Sequence, residues 1–329
     1  MLKPYQAIFI TFLAATITQP AFSEDKKHKQ LVIVSFDGAH DNNLWEKSRA
    51  IAQRTGARFT YFLSCTFLMT KGQRWAYQAP DQKKGRSNVG FAHTKTEVRE
   101  RLNHIWEARN EGHEIGNHAC GHFDGKNWSA AEWVKELTAF KTTLKAAWRS
   151  ADAAEDEPAG WEAFARNDIT GFRAPYLSTS GHLSAALRET GHTYDASGVS
   201  KGPSVPRISN RLSAFDLPLI PEGPRNRRVI AMDYNMFVRH SGGIENATKS
   251  EIYEERAYNA FRRAFDRQYN GPRRPLQIGL HFVEMNGGAY WRAMERLLTE
   301  VCGSEDVACV TYSEALDTLK ARKSGGGGA

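Results

Sequence analysis

Leu31-Val-Ile-Val-Ser-Phe36 is an apolar run with no polar alternation. A strand with one wet face would alternate, so this one is read as covered on both faces, as in a parallel sheet between helices. It ends in Asp37-Gly-Ala-His-Asp-Asn-Asn43. In parallel α/β folds the loops at the C-terminal ends of strands converge on one rim, so polar residues crowded there mark candidate chemistry. The pattern then repeats. Helical periodicity covers residues 44–55, 96–110, 129–150, 180–190, 249–268, 289–301 and 313–320, and strand-like runs cover 58–64, 168–173, 192–197, 229–232, 275–280 and 307–312. A further short strand after the second helix is read as carrying two histidines. Ser129 and Glu132 have capping-box spacing. Residues 151–160 read as an acidic surface insertion and 201–228 as a Pro- and Arg-rich connector. Strand and helix alternate about seven times, which predicts an α/β fold, a distorted (β/α) barrel of about seven strands.

With 329 residues, 41% hydrophobic and 25% charged, the chain can bury a large core. Its net charge of +7 is spread among acidic residues, so nucleic acid is not expected as a partner. Lys3, the apolar run from Ala7 to Ile17 and the small-residue exit at Ala21-Phe22-Ser23 read as a secretory signal over residues 1–23. Residues 24–323 then form one catalytic domain and 324–329 a flexible Gly-rich tail. No other segment has the length of a membrane span. The mature chain is expected to be secreted or periplasmic, which makes its four cysteines a disulfide question. Cys302 and Cys309 bracket a helix exit, and Cys65 and Cys120 lie near strand ends; the sequence alone leaves the pairing open.

His118 and His122 are four residues apart after a short apolar segment, a spacing that suits two neutral imidazole ligands of a zinc-like divalent ion. An ordinary helix surface also offers that spacing. Hydrolysis of an amide or ester needs a base for water and an acid for the leaving group. Asp37 is the candidate base and His281 the candidate acid, with Arg173 keeping Asp37 ionised and Asp233 fixing the His281 tautomer. After Pro175, which has no N–H, the Tyr176 N–H is a candidate oxyanion donor. The plainer readings are an N-cap for Asp37, a surface ion pair for Arg173, a core imidazole for His281 and a turn residue for Asp233. Residues 69–93 form a long loop whose Trp75, Tyr77 and Phe91 either stack on sugar rings or pin the loop to the core; Trp75 is the substrate-binding candidate. His40, His104, His113 and His192 read as structural.

Ser35-Phe-Asp-Gly-Ala-His-Asp41, Asn117-His-Ala-Cys-Gly-His122, Gly171-Phe-Arg-Ala-Pro-Tyr-Leu177, Tyr194-Asp-Ala-Ser197, Met232-Asp233 and Leu280-His281 together resemble the ordered motifs of the polysaccharide deacetylases, the NodB-homology carbohydrate esterases. Phe261 to Tyr269 with Arg274-Pro-Leu276 is similar to the chitin-deacetylase-like branch. The resemblance implies a distorted barrel, a zinc-like metal on His118 and His122, Leu280 beside the acetyl methyl, and hydrolysis of N- or O-acetyl groups on chitin oligomers, peptidoglycan or an exopolysaccharide. One position departs: the family's metal-binding second aspartate is Gly38 here. Asp41 or Asp37 is then expected as third ligand, with weaker binding. The alternatives are a noncatalytic carbohydrate-binding protein that lost a ligand at Gly38, and a metal-independent amidase.

Overall fold

A computed structural model describes residues 28–325; the predicted signal segment and residues 326–329 of the predicted tail lie outside them. In chain order the elements are β1 (Gln30–Gly38), α1 (Asn42–Thr55), β2 (Phe59–Leu63), α2 (Lys95–Asn110), β3 (Glu114–Asn117), α3 (Ala130–Ser150), α4 (Trp161–Asn167) and β4 (Gly171–Phe172). There follow α5 (Gly181–Glu189), β5 (Tyr194–Ser200), β6 (Ser213–Glu222), β7 (Arg227–Ile230), α6 (Asp233–Ser241), α7 (Ser250–Tyr269), β8 (Leu276–His281), α8 (Ala289–Val301), β9 (Val307–Cys309) and α9 (Tyr312–Gly325).

The strands form one curled sheet in the order β7-β6-β5-β4-β3-β2-β1-β8, with β9 also paired to β1. All pairings are parallel except β6 with β7. A bridge between Met232 and Gly279, with Gly279 N–H donating to Ala231 O, brings the far edge back to β8 and curls the sheet into a distorted barrel. The approach is close: a Cβ on Gly279 would stand 2.7 Å from the Met232 methyl, which would have to shift. β1 is central and almost wholly buried, as its unbroken apolar run requires. The core packs Phe36, Tyr61, Trp45 and Trp291 between sheet and helices.

Four elements depart from the sequence expectation. The connector at 201–228 contains β6, ten residues that bury Phe215, Leu217 and Ile220 despite Pro218 and Pro221. Asp233 opens α6 instead of a turn, and α4 follows the acidic insertion. The tail joins the fold earlier than expected, because α9 runs to Gly325. Among the described residues no helix is long and apolar enough to cross a membrane.

Candidate active site

Asp37 and His281 are direct partners across the β1–β8 ladder at the C-terminal ends of both strands. Neighbouring strands lie about 4.8 Å apart, so the two side chains open from adjacent positions on one rim. Asp37 is 4% exposed and accepts a 2.8 Å hydrogen bond from Arg173 Nη1. Arg173 follows β4 and is fully buried; the same Nη1 donates to Ser35 Oγ, Nε donates to Ala196 O and Nη2 donates to Tyr312 Oη. Its plane also lies over the Phe62 ring. A buried guanidinium this fully bonded is a fixed charge, and what it fixes is Asp37. Burial works against ionisation of Asp37, but Arg173, with His118 and His281 nearby, outweighs it and holds the carboxyl below its ordinary range.

Asp233, the first residue of α6, takes two hydrogen bonds from His281. The backbone N–H donates to Oδ2 at 2.7 Å, and ring Nδ1–H donates to Oδ1 at 2.7 Å. That leaves Nε2 for the cleft. Burial alone would lower the imidazole pKa; the charge and hydrogen bond of Asp233, helped by Asp37, raise it above the ordinary value.

β3 ends at Asn117, so the two histidines lie beyond the strand, in a turn where Ala119 and His122 have positive φ. Three ties hold that turn. Cys120 is bridged to Cys65, and the buried Glu136 carboxylate accepts from Cys120 N–H at 2.8 Å while also bonding Tyr77 Oη, which itself accepts from Gly121 N–H. Tyr77 therefore pins its loop to the core. His118 Nδ1–H donates to Arg173 O at 2.8 Å, so its Nε2 is bare. The His118 and His122 rings are 5.0 Å apart, and burial lowers the pKa of both, to about 3 for His118. Both imidazoles are thus neutral, the ligand form.

The donor set nevertheless falls short of a catalytic zinc centre, which takes three protein ligands. Among the described residues no group of three His, Cys, Asp or Glu side chains converges on one metal position. Asp41 is not the third: its carboxylate caps α1, accepting from Leu44 N–H. Asp37 is engaged by Arg173, and Gly38 has no side chain to give. The residues present do not fit a preformed three-ligand ion.

The cleft, about 190 Å³, is lined by Asp37, Gly38, His118, His122 and His281, and by an apolar wall of Phe67, Val89, Phe282 and Val283. His40 stands at its edge, stacked on Phe67, although its sequence context reads as structural. Leu280 corrects the expectation of an acetyl contact: it is 0% exposed, in the core, and offers the cleft no surface. Trp75 is exposed but stacks with Arg74 outside the cleft lining. Pro175 is buried, and Tyr176, at φ 58°, projects beside His122 with ring centroids 4.9 Å apart. The turn is set by Ser197, whose hydroxyl donates to Asp195 and accepts from Ala174 N–H. Tyr234 flanks the other side, exposed and 6.0 Å from His281. The second disulfide joins Cys302 to Cys309, so the structure settles a pairing the sequence left open.

Comparison with solved structures places this architecture. A protein from Mycobacterium smegmatis, provisionally named a polysaccharide deacetylase, superposes with a TM-score of 0.54 at 17% identity, covering 94% of this chain and 95% of that one. The chain has the fold of the polysaccharide deacetylases. The Xyl-CE4 domain of a xylanase from the hindgut metagenome of Trinervitermes trinervoides (TM-score 0.45, 14% identity, 91% and 92% covered) is also similar. So is the peptidoglycan deacetylase PdaC of Bacillus subtilis (0.46, 11%, 90% and 94%). No protein-family profile matches the chain, and no curated protein matches it by sequence.

Proposed function

We propose that residues 24–323 form a carbohydrate deacetylase, a hydrolase of N- or O-acetyl groups on an extracellular or periplasmic glycan such as chitin oligomers, peptidoglycan or an exopolysaccharide. The carrying observation is the cross-strand pair: a carboxylate bonded by Arg173, which favours its ionised form, beside an imidazole bonded by Asp233, which favours its protonated form, both opening into one cleft. In this reading Asp37 accepts the proton of an attacking water, and His281 delivers one to the departing amine or alkoxide from Nε2. The Tyr176 N–H has no acceptor among the described residues and is offered to the developing oxyanion. Phe67, Val89, Phe282 and Val283 take the acetyl methyl in place of Leu280, and Tyr176 and Tyr234 flank the sugar. Zinc, if taken up, has only His118 and His122, so binding is weak. Because Arg173 holds Asp37 low, Asp37 is a weak base for water, and turnover is slow.

Acetate release from acetylated chitin oligomers, peptidoglycan and acetylated xylan, each with and without added zinc or cobalt, tests the reading. Release that disappears in Asp37→Asn supports it. Glycan binding with no acetate under any cation overturns it in favour of a binding protein.

A further inference from the structure

A hollow lined by cations lies away from this cleft. Between the C-terminal half of α7 and the β5–β7 edge is a cavity of about 450 Å³ that shares no lining residue with the cleft. Five cationic side chains line it, Lys201, Arg228, Arg263, Arg267 and Arg274, and no carboxylate does. The acids in the vicinity are already engaged: Asp216 pairs with Arg207, Glu222 with Arg256 and Asp266 with Arg262. Among the described residues none of the five cations makes an ion pair. Arg228 instead donates to Lys201 O and Leu219 O, holding the wall of the cavity in place.

Two polar side chains in the same wall lack partners. Gln268 is 5% exposed and its Oε1 accepts nothing; Ser204 Oγ likewise has no partner. A buried polar group left unbonded is costly and normally has a ligand or water to meet. A bare oxyanion would answer the cations but would leave an acceptor such as Gln268 Oε1 unmet, and it would fill little of the volume. A hydroxylated body answers both. We infer that this cavity binds a sugar phosphate, its phosphate group among Arg263, Arg267, Arg274 and Lys201 and a hydroxyl donating to Gln268.

Arginines in the last turns of a helix also complement its dipole, so the test separates recognition from general attraction. Calorimetric titration of the full chain is run with glucose 6-phosphate, inorganic phosphate and glucose. The expected order is glucose 6-phosphate tightest, inorganic phosphate at least tenfold weaker, and no heat with glucose. Arg267→Gln should weaken glucose 6-phosphate at least tenfold and Gln268→Leu, which leaves the charge unchanged, about fivefold. Arg188→Gln, at an exposed position of α5, should leave binding as it is. Absence of glucose 6-phosphate binding, equal affinity for inorganic phosphate, unchanged binding in Arg267→Gln, or an equal loss in Arg188→Gln overturns the inference. Arg267 is exposed, so its variant folds even if Gln268→Leu does not.

Discussion

Gly38 sits at φ +97°, yet a Cβ there would meet nothing nearer than Phe67 at 3.9 Å and His40 at 4.0 Å. Space is therefore available for a carboxylate, and the cost is backbone strain, about 1–3 kcal/mol. Gly38→Asp is expected to raise zinc content after dialysis well above wild type while lowering the thermal midpoint; metal analysis with thermal denaturation checks both. Unchanged metal would mean that His118 and His122 are not ligands. Asp233→Asn bears on the acid. The base must be ionised and the acid protonated, so wild-type kcat/KM should fall only below the ordinary Asp value of 3.8 and only above the ordinary His value of 6.5. Losing Asp233 should pull the alkaline limb down below that of wild type and reduce kcat about 100-fold, read from a pH–rate profile. Strand exits mark Asp37, Arg173 and His281 in the sequence because side chains at strand ends share a rim. Tyr312, 139 residues from Arg173, carries no local mark, since only the closed fold makes that bond. Asp41 carries a misleading one, because an acid before a helix and an acid near a metal look alike in one dimension.

The helices begin where chemistry fixes them. Ser129 Oγ accepts from Glu132 N–H and the Glu132 carboxylate accepts from Ser129 N–H, so both bonds of the predicted capping box at the start of α3 are present. Ser129→Ala should cost about 1 kcal/mol and lower the thermal midpoint by about 1–2 °C; an unchanged midpoint would show that packing alone holds the helix end. The buried strands β1, β2 and β8 are legible because uninterrupted apolar runs have few other uses. β6 is not, because Pro218 and Pro221 suggest a loop, and they are tolerated where neighbouring pairings leave their missing N–H unneeded. α6 is concealed for another reason: Asp233 is legible as the partner of His281, 48 residues away, but nothing local marks it as the first residue of a helix.

Taken whole, the molecule buries several neutral histidines. Burial lowers His113 to about 4 and His118 and His192 to about 3. These values lie below the ordinary 6.5, so the unfolded chain binds more protons and stability falls as pH drops through 6.5. Each group should cost up to about 2 kcal/mol by pH 5, so the thermal midpoint should decline steadily from pH 7 to pH 5; a flat profile would show that these imidazoles are already charged in the fold. The bridge from Cys65 to Cys120 has a different reach. It closes a loop of 55 residues, worth about 4 kcal/mol on chain-entropy grounds, and Cys120 lies between His118 and His122 in the turn that carries both cleft imidazoles. Dithiothreitol should therefore silence acetate release at temperatures where the barrel is still folded. A newly made copy in a reducing cell interior would stay idle, and oxidation would set the moment at which it begins to work.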